Sequence, residues 1–365
     1  MIRDQILQLS SRLRIILLII SISHSLKVVG HRGSGCSQFN CTSLYPENSI
    51  VSFINALKNG ADIVELDTWI SKDDQIVVTH RNTNLDIDDL YSSIIPESFE
   101  GKTPTSGEYS HKEREKYKTK MPWAVDKPER DEYNSDQYNV SYKDHSPIYI
   151  PLLSEVFTEI CPLGKQIIVE LKGNREDLGP RVIQLAKDMD IVNCIHTFSS
   201  FHWSKFNPSR ANEVDLLEHL RNETIIPKAL LFKFRPEELL NPLKAAEYYN
   251  ATALHTNCQL LWNDIEVRNQ IFHRAKTGDI YDQKPNNEQY DSNSQKKEEF
   301  KLQRKLTASC YFSGEYTDTV EELEKTIDMN VLDEICTNNP QLLRQILDQR
   351  EFRRIEIDEE QSSEL

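Results

Sequence analysis

From residue 26 onward the chain alternates short apolar runs with amphipathic stretches. The runs are "LKVVG" (26–30), "ADIVELD" (61–67), "QIIVELK" (166–172), "NCIHTFS" (193–199), "PKALLFK" (227–233), "ATALHT" (251–256), "LTASCYF" (306–312) and "VLDEICT" (331–337). Runs of this length and composition read as strands. Between most of them the apolar positions take helical spacing. In "PENSIVSFINALKNG" (46–60), Ile50, Phe53, Ile54 and Leu57 form one stripe, with Pro46 near its start and Gly60 past its end. "PLLSEVFTEI" (151–160) repeats the logic with Leu153, Val156, Phe157 and Ile160.

A ninth run, "QIVVT" (75–79), breaks the alternation, because only "SKDD" separates it from the strand before. A parallel crossover needs about a dozen residues or more. Residues 68–79 are therefore expected to form an antiparallel hairpin. That leaves eight parallel strands, the number of a closed (β/α)8 TIM barrel. It also returns His80 to the level of Glu65 and Asp67.

Two stretches exceed what a barrel of roughly 250 residues needs. Residues 84–149 are rich in Tyr, Lys, Asp and Ser, and leave the expected C-terminal rim, so they are placed to cap it as a catalytic-face insertion. Residues 275–303 are polar and low in complexity, and are expected at the opposite rim or disordered. The barrel proper is expected over 26–352, with an acidic tail at 353–365. Residues 1–25 differ from the rest. Arg3, Arg12 and Arg14 precede "IILLIISIS" (15–23) and the small residues of "SHS". The run is too short to span a bilayer and fits a secretory signal or an N-terminal anchor; an amphipathic helix packed on the barrel is the other reading.

Composition adds limits. The 365 residues are 38% hydrophobic and 28% charged, an ordinary globular balance, and the formal net charge of −15 argues against a nucleic-acid partner. Of seven Cys, only Cys36 and Cys41 are close in sequence, and they can pair if the protein is secreted. No zinc-binding spacing occurs. Sequons stand at Asn40, Asn139, Asn222 and Asn250.

The strand ends carry the chemistry. His31 and Arg32 follow the first strand, Glu65 and Asp67 end the second, His80 ends the hairpin, Glu170 and Lys172 end the next, and Glu47 opens the first helix. Glu65 and Asp67 share a face, as do Glu170 and Lys172. Each has a plainer reading: surface acids on an edge strand, an internal ion pair, an acid at a helix N-terminus. Together at one rim, Glu65, Asp67 and Glu170 make a hard-oxygen site for Mg²⁺ or Ca²⁺. Arg32 and Lys172 can hold a phosphate, and two His can divide proton transfers.

The chain resembles the glycerophosphodiester phosphodiesterases through "HRG" (31–33), "PENS" (46–49), "GADIVELD" (60–67), "SKDDQIVVTH" (71–80), "IPLLSEVF" (150–157), "VELK" (169–172), "SSF" (199–201) and "TNNP" (337–340). The resemblance implies a metal-dependent barrel that hydrolyses glycerophosphodiesters to glycerol phosphate and an alcohol. It implies His31 and His80 as the catalytic pair, and Glu65, Asp67 and Glu170 as metal ligands. Arg32, Lys172, Glu47 and Tyr311 would serve the substrate side, Tyr311 standing where the family has Trp. Arg81 and Asn338 stand where it has Asp. A lysophospholipase D or lyase on the same scaffold, a lysolipid substrate met at a membrane surface, and an inactive glycerol-phosphate-binding barrel remain the alternatives.

Overall fold

The structure, a computed structural model, describes residues 26–35, 45, 47–80, 95–96, 112, 119–120, 150–207, 210–223, 225–233, 241–273, 306–312 and 318–363. Eight parallel strands close on themselves: β1 (Lys27–Gly30), β2 (Ile63–Ile70), β4 (Gln166–Leu171), β5 (Ile195–Ser200), β6 (Lys228–Phe232), β7 (Ala253–Asn257), β8 (Thr307–Tyr311) and β9 (Glu334–Thr337). Neighbours pair in this order, and β9 and β2 both flank β1, which leaves none of the eight with a free edge. β3 (Ile76–Val78) is the antiparallel addition. It pairs with the far end of β2, Thr68 opposite Val78, and Thr79 N–H donates to Asp67 O at 3.0 Å. β2 therefore runs three residues beyond the predicted strand, because the hairpin satisfies its backbone after the barrel ends.

Helices α1 (Ile50–Lys58), α2 (Leu153–Ile160), α3 (Leu178–Asp188), α4 (Asn241–Tyr248), α5 (Cys258–Asn263), α6 (Val320–Asp328) and α7 (Pro340–Ser363) surround the barrel. In α1 the Ser49 side chain accepts from Ser52 N–H, and Phe53 and Ala56 are buried. In α2 the four stripe residues Leu153, Val156, Phe157 and Ile160 are all buried against the strands. The helix and strand faces share one continuous core. α7 begins against the barrel with Leu343 and Ile346 buried. It continues through the expected acidic tail to Ser363, exposed from Glu351 to Ile357.

A separate small cluster fills the barrel interior: Val29, Ile63, Ile168 and Cys336, with Tyr311 packed on it. These lie on β1, β2, β4, β9 and β8. Two residues further on, inward again by the alternation of a strand, stand His31, Glu65, Glu170 and Asn338. An apolar layer thus sits directly beneath a polar one at the C-terminal rim.

Among the described residues two disulfides join the outer helices and loops to the barrel strands. Cys161–Cys194 links the end of α2 to the start of β5, and Cys258–Cys310 links α5 to β8, with Cα atoms 5.5 and 5.0 Å apart. Neither was legible from sequence spacing. Cys336 is free and buried. The Cys36–Cys41 pairing, residues 1–25, nearly all of 84–149, and 275–303 lie outside the described residues. Among the described residues no helix is long and apolar enough to cross a membrane.

Candidate active site

The loop after β1 sets the site. Arg32 takes a left-handed backbone with φ 51°, and Gly33 follows at φ 92°. A Cβ on Gly33 would lie 2.5 Å from Ser52 Oγ, so the turn packs on α1 only as Gly. Ser34 N–H donates to Ser52 Oγ at 2.7 Å, and Asn48 N–H donates to Arg32 O at 3.0 Å. Held this way, Arg32 turns its side chain and its own N–H toward the carboxylates. Its N–H donates to Glu65 Oε2 at 2.9 Å. Its Nη1 donates to both Glu47 oxygens, at 3.0 and 3.1 Å, and its Nε lies 3.5 Å from Asp67 Oδ2.

All eight residues of β2 are buried, so Glu65 and Asp67 are not the acids of a solvent-facing edge. One oxygen from each of Glu65, Asp67 and Glu170 lies within 4.8 Å of the others. Lys172 Nζ bridges two of them, 2.7 Å from Glu170 Oε1 and 3.2 Å from Asp67 Oδ1. Among the described residues, four buried carboxylates (Glu47, Glu65, Asp67, Glu170) thus face two cationic side chains. Counted over these residues, two negative charges are left over in a desolvated site, a costly arrangement without a further cation.

The carboxylates register that excess. Burial, then repulsion from Asp67 and Glu170, pushes Glu65 well above the usual range. Burial, with Asp67 repelling and Lys172 opposing, pushes Glu170 up to about 7. Asp67 goes the other way. Burial would raise it, but Lys172, His80, Arg32 and the Asn48 amide hold it below the usual range. An all-oxygen donor set in surplus negative charge fits a divalent hard cation, and Glu65, Asp67 and Glu170 are the residues that would hold it.

Both imidazoles face this cluster. His31 Nδ1 and Asn338 Oδ1 are 2.8 Å apart. Burial, then the Arg32 charge, pushes His31 down to about 3. His80 is lowered well below its ordinary value by burial, then by Arg32 and Lys172, and its Nδ1 is buried without a hydrogen-bond partner among the described residues. A charge on His31 would lower His80 further. Tyr311 lines the wall. Its ring meets Phe201 edge-on at 6.0 Å, its hydroxyl reaches Phe232 O at 3.4 Å, and burial followed by Glu170 raises its phenol.

All nine residues expected from sequence therefore meet at one rim. Three more belong with them. Asn48 and Asp67 exchange hydrogen bonds, Asn48 Nδ2 donating to Asp67 Oδ2 at 2.8 Å and Asp67 N–H to Asn48 Oδ1 at 3.1 Å. Asn338 and Asp318 complete a buried chain behind His31. Asn and Asp are ordinary turn residues; Asn48 and Asn338 fall inside the PENS and TNNP stretches, which gave them no role, and nothing in the local sequence marks Asp318.

The barrel and this rim together define the class of protein, a barrel hydrolase of phosphate diesters. The chain belongs to the glycerophosphoryl diester phosphodiesterase family, whose sequence model matches residues 31–280. No curated protein matches the chain. Solved structures do. A protein from Galdieria sulphuraria, provisionally assigned as a glycerophosphodiester phosphodiesterase, is 18% identical with TM-score 0.60, covering 89% of this chain and 98% of its own. A glycerophosphodiester phosphodiesterase from Parabacteroides distasonis is 16% identical with TM-score 0.55, covering 89% and 98%. An Oleispira antarctica phosphodiesterase in complex with its product sn-glycerol-3-phosphate is 16% identical with TM-score 0.54, covering 88% and 96%. At these identities the likeness concerns the fold.

Proposed function

We propose that the protein hydrolyses glycerophosphodiesters to glycerol phosphate and an alcohol, using Mg²⁺ or Ca²⁺ held by Glu65, Asp67 and Glu170. The observation that carries this reading is the surplus, among the described residues, of carboxylates over cations around two imidazoles. An anionic diester would be repelled unless that surplus were cancelled. When bound, such a cation supplies the cancelling charge and polarises a phosphoryl oxygen. Arg32 and Lys172 orient the phosphate, Glu47 fixing the Arg32 guanidinium from behind. His31 takes a proton from the attacking water. His80 gives one to the leaving oxygen as the P–O bond breaks, and the negative charge of the bound diester favours its protonated form. Tyr311 and Phe201 wall the glycerol side. The glycerol phosphate seen in the Oleispira antarctica enzyme supports that product for this barrel.

A panel of glycerophosphodiesters and lysolipids, assayed with Mg²⁺, Ca²⁺ and chelator, tests the reading. Metal-dependent release of glycerol phosphate and free alcohol is expected. A cyclic phosphate product would make the protein a lyase, and full activity in chelator would remove the metal from the reaction.

Secretion is part of the same proposal. The basic start and apolar run of residues 1–25 support it, as do the exposed sequon Asn222 and the two disulfides, which persist in oxidising compartments. Native protein beginning near Leu26 and carrying glycan mass is the expected result. An intact Met1 without glycan would reject it.

A further inference from the structure

Asp318 is fully buried, on the loop before α6, and takes no part in the steps above. Burying a carboxylate is costly unless it is well bonded. Here three donors converge on it. Thr337 Oγ1 and Asn338 N–H both donate to Asp318 Oδ2, and Asn338 Nδ2 donates to Oδ1 at 3.0 Å. Thr337 Oγ1 in turn accepts from Asn339 N–H at 3.0 Å, so its own proton is free to go to Asp318.

This arrangement dictates which way the Asn338 amide points. Burial raises Asp318 to about 6, with the Thr337 and Asn338 donors opposing, so above that pH it is a carboxylate, which accepts and does not donate. The amide NH₂ must therefore face Asp318, and the amide oxygen must face His31. An amide oxygen also only accepts, so the 2.8 Å contact requires the proton on His31 Nδ1. The other ring nitrogen, Nε2, is then left with its lone pair, the state a general base needs.

We propose that Asp318 is a positioning residue for the reaction: through Asn338 it locks His31 as the Nδ1–H tautomer and aims Nε2 into the site. The assignment rests on reading His31 as the base. Asp318 touches neither substrate nor cation. It acts two bonds away, as the outer partner of a ligand or base commonly does. The carboxylate that would orient His31 directly if it stood at 338 stands instead at 318, one side chain further from the ring.

Three measurements on the full chain test this. The ¹⁵N imidazole spectrum, with His31 assigned by its loss in His31→Gln, should show a protonated Nδ1 and a bare Nε2. An Nε2–H tautomer in the wild-type protein overturns the proposal, whether or not any variant folds and whether or not the proposed substrates are turned over. Asp318→Asn should mix the tautomers and lower kcat by about tenfold to 100-fold with KM little changed, the usual cost of losing an outer partner. Asp318→Asn combined with Asn338→Asp returns a carboxylate to His31 Nδ1 and should recover much of that loss. A purely structural Asp318 would lower the melting temperature of both variants alike, leave the tautomer unmixed and show no rescue, and that pattern also overturns the proposal.

Discussion

Asn48 and Asp67 hold each other by two reciprocal hydrogen bonds, one to a side chain and one to the backbone. Asn48 sits at φ 58°, a left-handed conformation that Asn and Asp tolerate better than other residues with a side chain. The substitution Asn48→Asp therefore keeps the backbone and exchanges one donor for a second negative charge against Asp67. It is expected to lower kcat/KM and divalent-metal affinity together, by about tenfold to 100-fold. Calorimetric titration beside steady-state kinetics measures both. Unchanged values would mean the clasp is incidental.

Glu170→Gln tests the cation site from another side. Removing one of three carboxylates is expected to cut activity by at least about 100-fold, the upper end of the cost of losing even an outer partner. Excess Mg²⁺ or Ca²⁺ should restore part of it. Because the buried carboxylates repel one another, the melting temperature should not fall in step with activity. A variant as active as wild type at low metal would show that Glu170 serves only Lys172.

The two imidazoles should separate by leaving group. An alkoxide needs a proton as it departs, whereas a nitrophenolate does not, and general acid catalysis is worth roughly 10²–10⁴ in rate. His80→Ala is expected to lose most activity on a glycerol–choline diester and far less on a nitrophenyl diester. His31→Ala should lose both, because either substrate needs an activated nucleophile. The opposite pattern in paired kinetics would exchange the roles.

Beneath the site, His255 is buried beside Glu334 and His196 on the barrel interior. Burial pushes His255 down to about 4, with Glu334 opposing and His196 reinforcing. The unfolded chain binds its proton below about pH 6.5, while the folded protein resists until pH is near 4. Stability from this group is complete above pH 6.5 and is lost as pH falls toward 4, by up to about 3 kcal/mol. Urea unfolding midpoints at pH 7 and pH 4.5 should therefore diverge less in His255→Gln than in wild type. Equal divergence would place the acid sensitivity elsewhere.

The barrel was legible because its strands are buried on both faces, and a doubly buried strand reads as one apolar run. Glu65, Asp67, Glu170 and Lys172 stood out because charge inside such a run needs a reason. The hairpin followed from four residues being too few for a crossover. The signals failed where chemistry rests on common residues. Asn48, Asn338 and Asp318 gain their roles only from what lies across the loop, and sequence adjacency does not report that. The register shift between Ile167 and Ile168 against β5 is also set by tertiary pairing. The cysteine pairs were hidden by distance along the chain, 33 residues in one and 52 in the other.

The 52-residue pair has one more consequence. Cys258 and Cys310 stand on either side of the polar stretch 275–303. A peptide bond broken anywhere in that stretch would leave the two fragments a single molecule. β8 and β9 would stay tethered to the strands before them, at a local concentration no diffusing fragment could match. The disulfide thus splints the barrel across that stretch, and a chain nicked there would part only when a reductant joins the protease.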